Sequence, residues 1–331
     1  KAEAYLLRSI AMFFQSWWHH KRSHFDPQEW FLENQAVQSK SIAPKITWIG
    51  HSSFLIQIGG FNILTDPVFG SLAYIFQRIF KPGIEPNSLP NIDFVLISHN
   101  HRDHMDSPSI HRIKKDHPNA TFLVPMGDKK WFSSRGINKT IEFNWWENKS
   151  FNAKQTSLNS SVIDLLSSIE FTFLPAFHWS GRGIFDRNKA LWGSWMIRCN
   201  NTNIYFAGDT AYANHFKYIK QEFPVIDIAL MPIAPCEPRE WMKKSHVNAE
   251  EAVQGFIDLG AQNFVPMHWG TYHFGVETFL APIERLEKSW IEQNLTKRDK
   301  SLNILRIGEQ AEFPTNITPI IQPQQPTILG L

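Results

Sequence analysis

Residues 98–106 read SHNHRDHMD, so His99, His101, Asp103 and His104 fall within six positions, directly after the apolar run FVLI. Imidazole nitrogens and carboxylate oxygens at this density are divalent-metal ligands by type. Single residues of the same types follow other apolar runs. His178 follows EFTFLPAF, Asp209 follows NIYFAG and His268 follows NFVPM. One histidine after a strand is usually structural or a surface residue. Four strand ends that each release a possible ligand are harder to explain that way, because strands fix position while the loops they feed allow convergence. His and Asp without Cys is the donor set of a catalytic zinc or similar ion, rather than a structural one. No G-x-S-x-G turn competes as a nucleophile.

The elements that must position these residues can be read from apolar patterning. KITWIG, SFLIQIG and FNILTD form three consecutive strands separated by small turns, and FVLISH and TFLVP follow, with a helix from about Ser107 to His117 between them. A second series comprises IEFTFLPAFH, ALWGSWMIRC, NIYFAGD, DIALMPI and NFVPMHW. AEEAVQGFIDLG predicts a helix ending on a capping Gly260, and VETFLAPIERLEKSW another. The first half opens as a meander and the second alternates strands with helices. Two sheets packed face to face with helices outside is the most economical layout.

A chain of 331 residues, 43% hydrophobic and 19% charged, can bury a large core as one big domain or two small ones. A net charge of +2 gives no case for nucleic-acid binding. Cys199 and Cys236 are the only cysteines, which excludes a disulfide scaffold and a Cys-ligated zinc but does not fix the redox compartment. The 26 Phe and 13 Trp point to a ring-rich core or to surfaces that meet apolar partners. No apolar run is long enough to span a membrane. Leu6, Leu7, Ile10, Phe13, Phe14, Trp17 and Trp18 nevertheless share one helical stripe with a basic flank from His19 to His24. Such a helix suits a lipid interface, and equally suits packing on its own domain or on a twin subunit. The segment GSLAYIFQRIFKPG (70–83) is expected to expose Leu72, Tyr74, Ile75, Phe76, Ile79 and Phe80, as a lid or lipid-docking surface or else as a buried helix.

The spacing His99-x-His101-x-Asp103-His104, followed in order by His178, Asp209 and His268, resembles the metallo-β-lactamase superfamily. SHNHRDHMD, DRNKALWGSW, IYFAGDTAY, EPREWMKKSHVNAEEA and PMHWGTYHF further resemble its N-acylphosphatidylethanolamine-hydrolysing phospholipase D branch, over roughly Lys45 to Glu287. The resemblance implies an α/β fold, an αββα sandwich of two mixed β-sheets flanked by helices, with two Zn2+ at the mouth between the sheets. It implies one zinc on His99, His101 and His178, the other on Asp103, His104 and His268, and Asp209 bridging both. Asp103 thus belongs to the catalytic group as well as to the ligands. Two zincs sharing a water lower its pKa to about 7 or below and neutralise phosphoryl charge, which suits an anionic phosphodiester.

Asp66 in ILTDP is expected to support a ligand histidine, the alternative being a turn residue before Pro67. His51 in WIGHSS is expected to pack beside the site rather than bind. His246 is expected to meet the phosphate or protonate the departing alkoxide, a capping or structural role being the alternative. Arg102 stands where the branch carries an aromatic and would add positive charge at the cleft mouth. Lys243 and Lys244 are either headgroup attractants or simply solvated.

Three function classes follow. The first is a zinc phosphodiesterase of phospholipase D type, releasing N-acylethanolamine and phosphatidate. The second is the same fold acting on a soluble lactone or phosphodiester. The third is a membrane-associated protein keeping a metal for stability, against which the intact ligand set speaks. Aromatic richness and the apolar stripe favour the first. The expected division is 1–44 as N-terminal helix and extension, 45–312 as the hydrolase domain and 313–331 as a Pro-rich tail. Expected partners are a phospholipid substrate, a peripheral membrane surface and a twin chain in a homodimer. The expected location is peripheral membrane or cytoplasm, with any signal sequence upstream of Lys1 beyond view.

Overall fold

The computed structural model describes residues 26–32, 37–72, 76–152, 168–183 and 185–314. The apolar stripe from Leu6 to Trp18, the residues 73–75 of the expected lid and the tail beyond residue 314 lie outside the described residues.

The first sheet begins as the expected meander. β1 (Lys45–Gly50), β2 (Ser53–Ile58) and β3 (Phe61–Thr65) pair antiparallel in sequence, because turns of two residues leave no room for a crossover. β4 (Phe94–Leu96), β5 (Thr121–Pro125) and β6 (Thr140–Phe143) then add in parallel. The second sheet repeats the plan. β7 (Asn148–Asn152), β8 (Ser168–Pro175), β9 (Gly193–Cys199) and β10 (Thr202–Phe206) are antiparallel, and β11 (Ile228–Pro232), β12 (Asn263–Met267) and β13 (Ser301–Leu302) continue in parallel. β14 (Gln310–Glu312) returns to close the free edge of β1.

Parallel strands need crossovers, and these are the helices. α1 (Ser107–Asp116) starts where the Asp106 side chain accepts the Ser109 amide at 3.0 Å, and α2 (Lys129–Ser133) follows β5. α3 (His215–Glu222), α4 (Arg239–Met242), α5 (Ala249–Leu259) and α6 (Ala281–Glu292) serve the second sheet. α5 ends on Gly260 at φ +63°, as its sequence predicts. α6 begins five residues later than the run from Val276 suggests, with Pro282 in its first turn, where a missing amide is tolerated.

One apolar face of each sheet meets the other, and Phe94 against Phe171 (4.9 Å between centroids) and Phe143 against Trp195 (5.0 Å) interlock across the gap. Ile110, Ile113 and Phe132 cover the outer face of the first sheet, and Phe216, Phe256 and Ile283 that of the second. The architecture is therefore the αββα sandwich. The sheets are also joined by polar bonds at one end. Trp195 Nε1 donates to the Ile97 carbonyl at 3.0 Å, and the Gly193 amide to the Ser98 carbonyl at 3.0 Å.

Two apolar segments behave differently from a free surface. Trp30 meets Trp269 edge-on at 5.1 Å, and Phe31 pairs with Ile307 and stacks on Phe80, so residues 26–32 lie on the sandwich. Phe80 is buried and Ile79 half-buried, contrary to the exposure expected for 70–83. Residues 76–83 form no helix, and Phe76 turns its ring onto Phe274 at 5.1 Å. The buried Arg78 guanidinium is the reason: it donates to the carbonyls of Ile49 (2.6 Å), Val68 (2.8 Å) and Phe80 (3.0 Å), pinning the segment to the sheet.

The Trp195 bond predicts a measurable cost. Trp195→Phe keeps most of the ring packing but strips the Ile97 carbonyl of that donor. It is expected to lower stability by about 1–3 kcal/mol in urea unfolding, more than a Phe171→Leu-type loss of packing alone would suggest for so small a change of shape.

Candidate metal centre

The loop after β4 carries His99, His101, Asp103 and His104 to the end of the sandwich where the two sheets are bonded together. β8 delivers His178, β10 Asp209 and β12 His268 to the same place. Ligand atoms of His99, His101, His178 and Asp209 all lie within 4.8 Å of one another, and so do those of His51, Asp103, His104 and His268. His101 Nδ1 is 2.8 Å from His99 Nε2 and 3.2 Å from His178 Nε2. Asp209 stands between the groups, with Oδ1 3.0 Å from His268 Nε2 and Oδ2 3.2 Å from His104 Nε2, 3.8 Å from His178 Nε2 and 3.9 Å from His99 Nε2. All seven residues singled out as ligands are thus gathered around one carboxylate.

Hydrogen bonds behind the rings decide which nitrogen faces inward. His178 Nδ1 donates to the Ser245 carbonyl (2.7 Å) and His268 Nδ1 to the Ala234 carbonyl (2.9 Å). A carbonyl can only accept, so in the neutral ring Nε2 carries the lone pair. Asp66 does the same for two more. An ionised Asp66 accepts His104 Nδ1–H (2.7 Å), the Ser98 amide (2.7 Å) and the Ser98 hydroxyl (2.5 Å), and that hydroxyl accepts His99 Nδ1–H at 2.9 Å. Four imidazoles therefore aim Nε2 at Asp209, and in the neutral ring that nitrogen carries the lone pair. His104 Nε2, His268 Nε2 and Asp209 Oδ1 are buried with no hydrogen-bond partner. Buried orphans of this kind need a positive ligand, and the donor set fits divalent ions.

The electrostatics agree. Burial, reinforced by neighbouring histidines, holds His99 well below the usual imidazole range, and burial does the same to His178 against the pull of Asp209. Neutral rings are the metal-binding form. His104 moves the other way: burial opposes its charge, yet Asp209 and Asp103 outweigh it and lift the pKa well above the ordinary value. The point between those carboxylates attracts positive charge. His51, Asp66 and His268 adopt φ of +55°, +32° and +65°, a region that costs a non-glycine residue about 1–3 kcal/mol. Gly208 at φ +59° leaves only room for a hydrogen where a Cβ would sit 2.6 Å from the Ser98 Cβ, so the chain turns Asp209 directly into the cluster.

The remaining expected residues are placed as follows. His51 Nε2 is 3.2 Å from Asp103 Oδ2 and its ring lies 4.0 Å from His268, beside the cluster. His246 Nδ1 is 3.7 Å from Asp209 Oδ2 without a hydrogen bond, and burial pulls its pKa down to about 4. Arg102 reaches sideways to the Arg182 carbonyl, away from the cluster, and Lys243 and Lys244 are exposed. Several supports have no distinctive sequence signal. Ser98 links Asp66 to His99. Glu277 accepts the amides of Cys236 (2.6 Å) and Glu237 (3.2 Å), fixing the loop whose Ala234 carbonyl orients His268. Asp128 accepts Asn100 Nδ2 at 2.9 Å, between the first two histidines.

Comparisons with known proteins agree with this geometry. Residues 61–269 match the family model for the beta-lactamase superfamily domain. The chain is 34% identical over 277 residues to an N-acyl-phosphatidylethanolamine-hydrolyzing phospholipase D from Caenorhabditis elegans, covering 80% of this chain and 74% of the worm protein. It is 34% identical over 249 residues to a mitochondrial N-acyl-phosphatidylethanolamine-hydrolyzing phospholipase D of Saccharomyces cerevisiae, covering 73% of this chain and 50% of the yeast protein. Among solved structures, a metallo hydrolase from the archaeon Ignicoccus hospitalis shares the fold, with a TM-score of 0.59 and 20% identity over 82% of this chain and 99% of that one. The chain belongs to the beta-lactamase superfamily, as a metal-dependent hydrolase related to the N-acyl-phosphatidylethanolamine-hydrolysing phospholipases D.

Proposed function

We propose that this hydrolase is a phosphodiesterase of phospholipase D type that cleaves N-acylphosphatidylethanolamine. The fold and the inward-facing lone pairs support a metal-dependent hydrolase. The observation that carries the substrate is the 34% identity to two enzymes named for it, maintained over about three quarters of the chain.

His99, His101 and His178 would hold one zinc and Asp103, His104 and His268 the other, with Asp209 shared. Such a pair supplies an acidified water near neutral pH and offsets the charge of a phosphoryl group. In the overall reaction the water oxygen bonds to phosphorus and the bond from phosphorus to the ethanolamine oxygen breaks. The water's proton leaves with the N-acylethanolamine, and phosphatidate remains. Asp66 holds His104 and, through Ser98, His99 at the angle the site needs. His51 steadies Asp103 Oδ2, the oxygen that also faces His104 Nε2 at 3.4 Å and His268 Nε2 at 3.9 Å. His246 has a largely buried ring, 19% exposed, at the cluster edge and a buried, unpartnered Nδ1. A neutral imidazole there offers one N–H to a phosphoryl oxygen or to the departing alkoxide.

The direct test is mass spectrometry of products from N-acylphosphatidylethanolamine in mixed micelles, with zinc and with a chelator. N-acylethanolamine and phosphatidate are expected, and the chelator is expected to abolish both. Intact lipid from zinc-loaded protein would overturn the substrate and favour a soluble lactone or phosphodiester. Asp66→Asn is expected to weaken zinc retention by about 10–100-fold in a competitive chelator titration, because it removes the acceptor that fixes two rings. His246→Ala is expected to bind zinc as wild type while kcat falls by about 100-fold or more. His268→Ala should lose both, and an active His246→Ala would remove His246 from turnover.

A further inference from the structure

The loop after β8 has a feature that zinc binding does not require. It places Phe177 and Trp179 on either side of His178, and Phe185 at its tip is 85% exposed. Phe177 is 55% exposed and Tyr212, next to it through the Ala211 amide bond to the Phe177 carbonyl, 38%. A phenyl ring left this open is uncommon on a folded surface, and the described residues before and after it are tied by hydrogen bonds. The Asp186 carboxylate turns back to accept the Gly183 amide (2.8 Å) and the Arg182 amide (3.1 Å). The Asn188 amide donates to the Ser180 carbonyl at 2.8 Å, and the Asn188 side chain accepts the Ser180 amide. Arg182 anchors the loop to the carbonyls of Asn100 (2.9 Å) and Met105 (2.6 Å), on either side of the His101–His104 stretch. Ser180, Arg182, Gly183, Asp186 and Asn188 thus tie both arms of the loop together and to the stretch that carries His101 and His104.

Exposed cations outnumber carboxylates along the loop: Arg102, Arg187 and Lys189 are exposed, against Asp186, whose carboxylate is held ionised by the Gly183 and Arg182 amides. Arg187 lies over the Trp179 ring at 4.8 Å, and Trp179 meets His101 at 4.1 Å, so the cationic rim begins at the cluster itself. Rings that enter the acyl boundary, with cations level with phosphates, are the chemistry of an interfacial anchor.

We propose that residues 177–183 and 185–189, led by Phe185 and flanked by Arg102, Arg187 and Lys189, dock the mouth of the metal centre onto an anionic lipid–water interface. This rests on the phospholipid reading of the site, and it adds the residues that bring the site to its substrate. Docking places His178, and with it the metal centre, directly behind the membrane-facing rim. A phosphodiester at headgroup depth then needs to rise only a short way out of the bilayer.

The test is sedimentation of the full zinc-loaded chain with vesicles of phosphatidylcholine alone and of phosphatidylcholine with phosphatidylglycerol. Phe185→Ser is expected to lower partitioning by about tenfold or more on both. Arg187→Glu with Lys189→Glu is expected to remove the preference for the anionic vesicles and its salt dependence. Phe185→Ser should match wild type on a short-chain phosphodiester dissolved below its micelle concentration. Phe185→Ser that sediments like wild type overturns the docking loop. So does Phe185→Ser that only converts a dimer to a monomer, which would make the tip a contact with a second copy. Sedimentation is read without turnover, so Phe185-dependent binding by a chain that leaves N-acylphosphatidylethanolamine intact would keep the docking loop and overturn the reaction.

Discussion

Lone pairs that face one another repel, and this protein turns four buried imidazole Nε2 atoms, lone pairs in the neutral rings, toward one carboxylate. Left to rotate, each ring would turn its N–H inward and satisfy itself against Asp209. The acceptors behind the rings prevent that: the carbonyls of Ser245 and Ala234, the Asp66 carboxylate, and the Ser98 hydroxyl that relays it. A site so arranged is held at an energetic disadvantage by the fold until cations offset it, and the left-handed backbone at His51, Asp66 and His268 adds to that disadvantage. The large core makes this tolerable. Trp48, Trp195 and ten other fully buried aromatic side chains pack the sheets and the helices on them, and the bonded end of the sheets is also the end that carries the cluster.

The same geometry explains why the residues come from strand ends. A side chain on a loop alone would need several partners to fix it, whereas a residue one to three positions beyond a paired strand inherits the strand's register. Only the β4 loop supplies more than one member of the cluster. It is also the loop tied down at most points, by Asp66 through Ser98, by Asp128 through Asn100, and by Arg182 at the Asn100 and Met105 carbonyls.

Much of this was legible in the sequence. The cluster residues were, because their chemistry is unusual and they follow apolar runs that can only be strands. So were the meander, the capping Gly260 and the supporting place of Asp66. What was not legible has physical reasons. The carbonyls that orient His178 and His268 belong to Ser245 and Ala234, and every residue has a carbonyl. β7 and β14 are short and polar because they lie at edges, so NKSFN and QAE carry no strand-like apolar signal. The 70–83 segment left a lid and a buried helix equally open. The docking of its residues 76–80 depends on Arg78, a charged residue spent on backbone carbonyls, and on rings supplied from Phe31, Phe274 and Phe279 far away in sequence.

Both sheets change from antiparallel to parallel pairing at the same point, after β3 in one and after β10 in the other. Taking the three strand ends from that point onward, β3 ends in the bracing Asp66, β4 in the cluster histidines, and β5 in Asp128, which braces Asn100. In the other sheet β10 ends in Asp209 of the cluster, β11 in the bracing Ala234 carbonyl, and β12 in His268 of the cluster. The halves alternate out of phase, so where one sheet offers a hand the other offers a wrist. Corresponding positions in the two halves are therefore not interchangeable despite equal topology: an aspartate ends β3 and another follows β10, and each is committed by its half to the opposite task.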